Sequence, residues 1–372
     1  MRLVGTAVSL VLVLGLLSAC ADSREITVGE LPTQRALPMV GADISALPRL
    51  EALGATYSNG AGANTALAAL RAAGHNTFRL RLFVNPNGTD VVVNDLPYTL
   101  ALAQRVRAAG AALVLDLHYS DTWADPARQT IPAAWAGLTL DSLERVVERY
   151  TADVLQQFRA RGILPRIVQV GNEIDGGLLW PVGRIGNGTA GDAPQRAVFG
   201  RLLKAGVRGV RQVVASPDTT LVMLHYSQGG NVSGARWFFD QVVAEQVPFD
   251  VIGVSYYPWW HGSLEQLRQT IDSTAARFNR DVYVVETAYA WRPDWFAPAG
   301  ANGPLAYPRS PAGQQSFTQA LVSTVAVTAR GKGVLWWYPE AIPVSGLSVW
   351  AGGALGLFDG AGRLLPAAAE LK

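Results

Sequence analysis

The sequence has little cysteine, little histidine and no excess of either charge, and each shortage excludes a class of protein. Cys20 is the only cysteine among 372 residues, so no disulfide can form within the chain. The four histidines lack the HxH and HExxH spacings that are typical of zinc sites. With 31 basic and 29 acidic side chains, the net charge of +2 gives no electrostatic reason to expect nucleic-acid binding.

Several motifs of other enzyme classes are also missing. No Gly-x-Ser-x-Gly follows an apolar strand, which argues against a hydrolase with a serine nucleophile elbow. No Gly-x-Gly-x-x-Gly opens a helix, and there is no P-loop, so nucleotide binding is not indicated. The sequence therefore predicts a protein without a metal and without a cofactor.

The first 20 residues resemble a bacterial lipoprotein signal peptide. Arg2 supplies the positive charge, Val8–Leu17 is apolar but short for a membrane span, and Leu17–Cys20 resembles a lipobox. An ordinary signal peptide with a coincidental cysteine is the alternative. We expect lipidation of Cys20, a tether over residues 21–37, and export to the cell envelope or cell surface. No later segment has 18 consecutive apolar residues, so we expect membrane contact through the anchor alone.

From residue 38 onward, short apolar segments rich in β-branched and aromatic residues alternate with longer segments of helical period. The predicted strands are Met39–Ile44, Thr77–Val84, Leu113–His118, Ile167–Asn172, Thr220–His225, Val251–Tyr256, Val282–Glu286 and Val334–Trp337. The clearest predicted helices are Ala63–Ala73, Tyr98–Ala109, Leu140–Arg161, Arg196–Ala215 and Gly313–Ala329, and glycines at 74, 110 and 162 suit helix ends. This order predicts an α/β fold with a single (β/α)8 TIM barrel over residues 38–372, and a doubly wound open sheet is the alternative.

Polar and aromatic residues stand at the ends of these predicted strands, where a barrel carries its chemistry. They are Asp43, Arg79, Arg81, His118, Asn172, Glu173, His225, Tyr256, Tyr257, Glu286 and Trp337. The chain also has 11 tryptophans, whose flat, half-polar rings suit sugar binding. Together these residues predict a polar cup with aromatic walls.

Two glutamates at this rim fit glycoside cleavage, which needs one carboxyl group to protonate the leaving oxygen and a second to attack the anomeric carbon or activate water. Glu173 and Glu286 directly follow the fourth and seventh predicted strands. Asn172 suits a contact with the sugar 2-hydroxyl. Arg79 and Arg81 alternate onto one face of the second strand, where one of them could keep the nucleophile ionised. Structural ion pairs are the alternative role for these charged residues.

The chain resembles glycoside hydrolase family 53, the endo-β-1,4-galactanases. The stretches that carry the resemblance run in family order, and the His118–Pro126 run is the most specific of them. They are Gly41–Ser45, Arg79–Pro86, Asp116–Pro126, Gln169–Ile174, Gly177–Pro181, Ser255–Pro258 and Val284–Thr287.

The resemblance implies a retaining endo-β-1,4-galactanase, with β-1,4-galactan, from the side chains of pectin, as its partner. It implies that Glu173 is the acid/base and Glu286 the nucleophile. The residues that it places around the cleavage point are Arg79, His118, Asn172, Tyr256 and Trp337. Those that it implies shape the site or bind neighbouring sugars are Asp43, Trp123 and Trp180, and a core role is the alternative for Trp123.

Two departures from the family pattern stand out. After the fifth strand the family usually has an acidic residue followed by a Gly-Trp element, whereas this chain has Ser227–Gly230. Some bacterial members bind calcium after the seventh strand, but the segment 288–311 holds a single carboxylate, Asp294, which is too few. The alternatives that remain are a related hydrolase acting on another β-galactan or a mannan, and a glycan-binding lipoprotein without catalysis. We expect a monomer.

Overall fold

A computed structural model describes residues 35–186, 193–214, 220–295 and 305–372, which belong to one compact unit beginning at Gln34. The signal peptide, Cys20 and all of the tether up to residue 34 lie outside these residues. Within the described ranges, no helix combines the length and the apolar character that a membrane crossing requires.

Eight parallel strands form a closed barrel, with each strand paired to its neighbours in chain order and the last paired to the first. We number them β1 to β8: Met39–Asp43, Thr77–Leu82, Ala112–Leu117, Ile167–Val170, Leu221–Tyr226, Val251–Tyr256, Asp281–Thr287 and Gly331–Trp337. This closure confirms the predicted (β/α)8 fold and excludes the open doubly wound sheet. A two-stranded ribbon, Gly177–Leu178 and Gly183–Arg184, projects from the loop after β4.

Nine α-helices lie in the described chain, most of them between successive strands. In order, α1 to α9 are Leu47–Ala52, Ala66–Ala72, Leu96–Ala108, Leu140–Ala160, Ala193–Val213, Val232–Ala244, Pro258–His261, Leu264–Phe278 and Pro311–Val327. The glycines expected at helix ends, at positions 74, 110 and 162, have φ values of 109°, 70° and 65°. Such positive values favour glycine, which explains why each helix ends there. The predicted helices do not include α1, α6, α7 and α8, of which α1 and α7 are short.

The inside of the barrel is divided into an apolar lower layer and a polar upper layer. Alternate residues along each strand point inward, as the pleat requires. The lower layer contains buried residues from seven of the eight strands: Met39, Val114, Ile167, Met223, Val251, Tyr283, Val285 and Leu335. On the same strands, one or two inward-facing positions further toward the carboxyl end, the side chains become polar.

β1 and β2 approach so closely that β1 needs a glycine. A Cβ on Gly41 would lie 1.8 Å from the Thr77 carbonyl oxygen, which no side chain could tolerate. Two residues later on the same inner face, Asp43 pairs in register with Arg79 of β2. The close contact therefore brings the first charged pair of the upper layer together.

Candidate active site

A cleft with a volume of about 800 Å³ opens at the carboxyl ends of the strands. It is the face of the barrel on which TIM-barrel enzymes carry their catalytic groups. The residues predicted for the site that line this cleft are Arg79, Arg81, His118, Trp123, Asn172, Glu173, Glu286 and Trp337. The barrel therefore brings together side chains from positions as far apart in sequence as 79 and 337.

Asp43 lies beneath the cleft and does not line it. Its carboxylate is buried, with Oδ2 at 2.8 Å from Arg79 Nη1, and Oδ1 accepts hydrogen bonds from the backbone N–H and the hydroxyl of Ser45. Asp43 thus supports Arg79 from below.

The position of Tyr256 corrects one sequence-based prediction. Tyr256 points out of the barrel, where its hydroxyl donates to the Gly262 carbonyl oxygen at 2.8 Å. Because side chains alternate along a strand, Ser255 and Tyr257 point to the other side. The Tyr257 hydroxyl lies in the cleft and donates to Glu286 Oε2 at 3.0 Å. The tyrosine of the site is therefore Tyr257.

Trp180 also lies away from the cleft lining. Its indole N–H donates to the Gly176 carbonyl oxygen at 2.9 Å, and the Arg184 guanidinium covers its ring at 4.3 Å. These contacts hold the ribbon after β4 together. The structure thus gives Trp180 a role in the shape of that loop and no contact with the cleft.

Glu286 enters the barrel because of an irregularity in β7. Val285 already faces the interior, so strict alternation would turn Glu286 outward. The pairing with β6 shifts register between Val254 and Ser255, so that Ser255 pairs with Glu286. Such a bulge re-aims a side chain. Both Val285 and Glu286 therefore face inward.

The surroundings of Glu286 combine burial with one positive charge. Arg79 Nη1 lies 3.0 Å from its Oε1, and Tyr257 donates to its other oxygen. Burial raises the pKa of Glu286 to about 7, while the charge of Arg79 opposes that rise. Burial also raises the pKa of Tyr257, which keeps the phenol neutral and able to donate.

Glu173 has a different environment at the end of β4. It adopts the left-handed conformation, with φ 46° and ψ 57°, directly after Gly171 and Asn172. The Ser255 hydroxyl donates to its Oε1 at 2.7 Å, and no ion pair reaches it from the described part of the chain. Burial, and then the charge of Glu286, raise the pKa of Glu173 well above its usual value. The two carboxyl groups therefore differ chiefly in that Glu286 has a cation beside it.

Arg79 connects the charged groups at the floor of the site. Besides Asp43 and Glu286, it pairs with Asp116 at 2.8 Å. His118 Nε2 lies 2.9 Å from the same Asp116 oxygen, and its Nδ1 accepts from the Ala124 N–H at 3.2 Å, so the Nε2 nitrogen carries the proton. Although burial alone would raise the pKa of Asp116, the charge of Arg79 and the hydrogen bond from His118 lower it.

A second set of contacts fixes Asn172. Its Oδ1 accepts from Arg79 Nη2 at 2.7 Å and from Gln169 Nε2 at 3.1 Å. Its Nδ2 donates to the Ala124 carbonyl oxygen at 2.9 Å. A side-chain amide has two N–H donors, so one of them is left for a bound molecule. His225, which burial keeps neutral by lowering its pKa, lies between Asn172 Oδ1 and Ser255 Oγ at 2.9 and 3.0 Å.

Aromatic rings form the walls of the cleft. Trp123 lies edge-on to Trp337, with ring centres 6.1 Å apart, and Trp337 meets Trp350 at 4.5 Å. Arg81 stacks on Trp123 at 4.4 Å, and Trp260 is 37% exposed at the opening. Rings of this kind bind the apolar faces of sugars, and the polar floor suits hydroxyl groups. The arrangement is therefore suited to acid/base and nucleophilic chemistry on a carbohydrate.

Sequence reasoning missed several members of the site. Among the ones that contact it directly are Asp116, Gln169, Ser255, Trp260 and Trp350. The first three could have been predicted from the alternation of side chains along a strand. Asp116, Gln169 and Ser255 each lie one or two inward-facing positions beyond an apolar residue that points into the barrel. Trp350 lies on the long segment after β8, where no period in the sequence predicts its direction.

Comparison with known proteins identifies the family. The sequence model that represents glycosyl hydrolase family 53 matches residues 39–371 of the chain. The chain belongs to this family. It is 38% identical over 323 residues to a probable arabinogalactan endo-β-1,4-galactanase A of Aspergillus terreus, covering 84% of this chain and 88% of that protein. It is 35% identical over 317 residues to the arabinogalactan endo-β-1,4-galactanase of Thermothelomyces thermophilus, covering 82% and 91%.

A solved structure agrees with these relatives. The chain superimposes on a fungal β-1,4-galactanase with a TM-score of 0.79 and 33% sequence identity, covering 90% of this chain and 99% of that one. Family membership confirms the resemblance seen in the sequence. With both carboxyl groups in one cleft, the chain is a glycoside hydrolase, and a non-catalytic glycan-binding protein is not favoured.

Proposed function

We propose that the protein is a retaining endo-β-1,4-galactanase that hydrolyses the galactan side chains of pectin. The substrate is inferred from the relatives, which are named as arabinogalactan endo-β-1,4-galactanases and cover most of this chain. The mechanism is inferred from the site, and the observation that carries it is the unequal charge around the two glutamates. Arg79 lies 3.0 Å from Glu286, whereas Glu173 has a hydroxyl for a neighbour.

Glu173 is the acid/base in this proposal. Its raised pKa keeps it protonated until the bond between the anomeric carbon and the leaving oxygen breaks, and the proton then passes to that oxygen. In the second step the same carboxylate accepts the proton of the attacking water. Asn172, held in place by Arg79 and Ala124, has the spare N–H that could bind the 2-hydroxyl of the sugar.

Glu286 is the nucleophile in this proposal. Its oxygen bonds to the anomeric carbon as the leaving oxygen departs, which forms a glycosyl ester and inverts the centre once. Water then displaces the carboxylate and inverts the centre again, so that the configuration is retained. Arg79 and Tyr257 stabilise the ionised carboxylate before the first step and after the second.

Two measurements test the proposal. A panel of defined β-glycans should show hydrolysis of β-1,4-galactan above all others. Proton NMR of the first product from this galactan should show the β-anomer before mutarotation. An initial α-anomer would mean a single displacement with inversion, and the role of Glu286 as nucleophile would then be withdrawn.

A second candidate is a related hydrolase with a shifted preference, for example for another β-galactan or a mannan. The observation in its favour is the segment Ser227–Gly230, whose first two residues line the cleft and which lacks the acidic residue and the tryptophan expected there. The same glycan panel separates the two candidates. Faster hydrolysis of another polymer than of β-1,4-galactan would favour the second.

We also propose that the mature protein is held at the cell envelope by a lipid on Cys20, and that it acts as a monomer. The support for the anchor is the lipobox-like sequence Leu17–Cys20. The support for the monomer is that a single chain supplies the glutamates, Arg79 and the aromatic walls of the cleft. Light scattering of the soluble catalytic part tests the oligomeric state.

A further inference from the structure

The loops after β4 and β5 are joined by the carboxylate of Asp175, which has no role in the mechanism described above. Asp175 Oδ1 accepts from the Ser227 N–H at 3.0 Å, and its Oδ2 accepts from the Ser227 hydroxyl at 2.8 Å. Ser227 is buried and stands where the resemblance noted in the sequence leads us to expect an acidic residue. In this chain the carboxylate therefore reaches the same place from the neighbouring loop.

Asp175 lies in the short turn Ile174–Gly176 that begins at Glu173. A left-handed conformation in a residue other than glycine is strained and persists only where the surroundings impose it. On one side, Gln129 Nε2 donates to the Glu173 carbonyl oxygen at 3.1 Å, and on another the Glu173 N–H points to His225 Nδ1 at 3.3 Å. Asp175 provides a further restraint by fastening the turn to the end of β5.

The segment that Asp175 binds, residues 227–231, is itself held by backbone hydrogen bonds. Gly229 N donates to the Ser255 carbonyl oxygen at 2.8 Å, and Asn231 N donates to the Gln228 carbonyl oxygen at 2.9 Å. A Cβ on Gly230 would lie 1.7 Å from the His261 carbonyl oxygen, so this segment packs directly on α7. The exposed Gln228 lines the cleft, as Glu173 does, and directly follows Ser227, the residue that Asp175 binds.

We propose that Asp175 is a positioning residue, which holds Glu173 in line with the leaving oxygen and holds Gln228 against the departing sugar. The proposal rests on the function assigned above, because it takes Glu173 to be the acid/base. Gln228 is on the Glu173 side of the cleft, which is the side on which the leaving group departs. Gln228 thereby becomes a residue that determines specificity, in place of the acidic residue and the Gly-Trp element that are missing after β5.

Asp175 also belongs to the ring of ionisable groups around Glu173. Facing Glu173 are Glu286 from β7, Asp125 from the loop after β3, His225 from β5, Tyr257 directly after β6, and Asp175 itself. Burial is the main reason that the pKa of Glu173 is raised, and the charges of Glu286 and then Asp175 add to it. Removing the charge of Asp175 should therefore lower that pKa.

The test compares two substrates that differ in their need for the acid. β-1,4-Galactan has a poor leaving group, which must be protonated, whereas 2,4-dinitrophenyl β-galactobioside releases a stable anion without protonation. Asp175→Ala should lower kcat/KM on galactan by about 10- to 100-fold, the loss typical of a misplaced catalytic group, and change it by less than about threefold on the aryl glycoside. Equal losses on both substrates would overturn the proposal and leave Asp175 a structural role only.

Asp175→Asn and Gln228→Ala complete the design. Asparagine keeps the shape of Asp175 and can still bond Ser227, so galactan turnover should survive while the alkaline limb of its pH profile moves to lower pH. Gln228→Ala should raise KM for galactan and leave kcat within about twofold. An unmoved limb in a folded Asp175→Asn enzyme would contradict the link to Glu173. If the unmutated enzyme cleaves neither substrate, the proposed function itself fails, which is a separate result.

Discussion

Glu340 is a buried carboxyl group whose ionisation should limit the stability of the barrel at alkaline pH. It follows β8, its side chain has no exposed surface, and its Oε1 accepts from the Ala46 N–H at 3.0 Å. Burial raises its pKa to about 8, and the negative charge of Asp43 contributes. At neutral pH Glu340 is therefore mainly protonated in the folded protein.

The effect on stability follows from the difference in pKa between the folded and unfolded states. Unfolded, Glu340 titrates near its usual 4.5, and folded, near about 8. Between these values the folded state binds the proton more tightly, so the free energy of unfolding falls as pH rises. At about 1.4 kcal/mol per unit of pKa, the loss is at most about 5 kcal/mol, complete only above pH 8. Below pH 4.5 Glu340 is protonated in both states, and its contribution is then fully present.

Glu340→Gln removes this ionisation while keeping the acceptor for Ala46. Urea unfolding of both proteins at pH 5, 7 and 9 measures the difference. The variant should gain stability relative to the unmutated protein as pH rises, by a few kcal/mol between pH 5 and 9. Glu265→Gln is the matched control, because Glu265 is exposed and its hydrogen bonds with Arg268 lower its pKa, so it should show no such gain. A difference between unmutated protein and Glu340→Gln that does not vary with pH would refute the reasoning.

Three further outcomes are expected from single substitutions. Glu173→Gln and Glu286→Gln should each reduce kcat on galactan by about two to four powers of ten without unfolding the protein, and near-normal activity in either would refute its role. Tyr257→Phe removes a donor to Glu286 and should lower kcat/KM about tenfold or more, whereas Tyr256→Phe, the control outside the cleft, should not. Cys20→Ser should release active enzyme from the membrane fraction, and an enzyme still bound to the membrane would contradict lipidation.

Much of the fold could be predicted because its signals are local. Apolar segments ending in polar residues mark each strand, and the glycines at 74, 110 and 162 mark three helix ends by their positive φ. Four helices were not predicted: α1, α6, α7 and α8. Two of them, α1 and α7, are short, with six and four residues. The apolar faces of α6 and α8 pack on other elements of the barrel, and no glycine of positive φ directly ends them, since the left-handed residue after α8 is Asn279.

The sequence predicted which residues belong to the site better than it predicted how they are arranged. Strand ends identify Glu173 and Arg79 without any structure, because parallel strands of a barrel share one rim. They do not say which of Tyr256 and Tyr257 faces inward, since that depends on register. They also give no sign of the bulge in β7, without which Glu286 would face outward.

Long-range partners are the part that the sequence could not supply. Asp175 meets Ser227 across 52 positions, and Glu340 meets Ala46 across 294. No period or spacing links such residues, because the contact depends on how loops fold back over the rim. The missing acidic residue after β5 was visible in the sequence, but its replacement from the loop after β4 was not.

The pH profile of catalysis tests whether the two glutamates really differ as their surroundings require. Glu286 must be ionised to attack, so kcat/KM on galactan should rise through its pKa of about 7. Glu173 must be protonated, so activity should fall again through its own raised pKa at higher pH. The limbs belong to the pair, because each carboxylate shifts the other. On the dinitrophenyl glycoside, which needs no acid, formation of the glycosyl-enzyme should keep the limb near pH 7 and lose the alkaline one. If the rate of that step instead shows no rise near pH 7, then Glu286 is not the group that attacks. The negative charge of Glu286 that Arg79 stabilises would then have a different role.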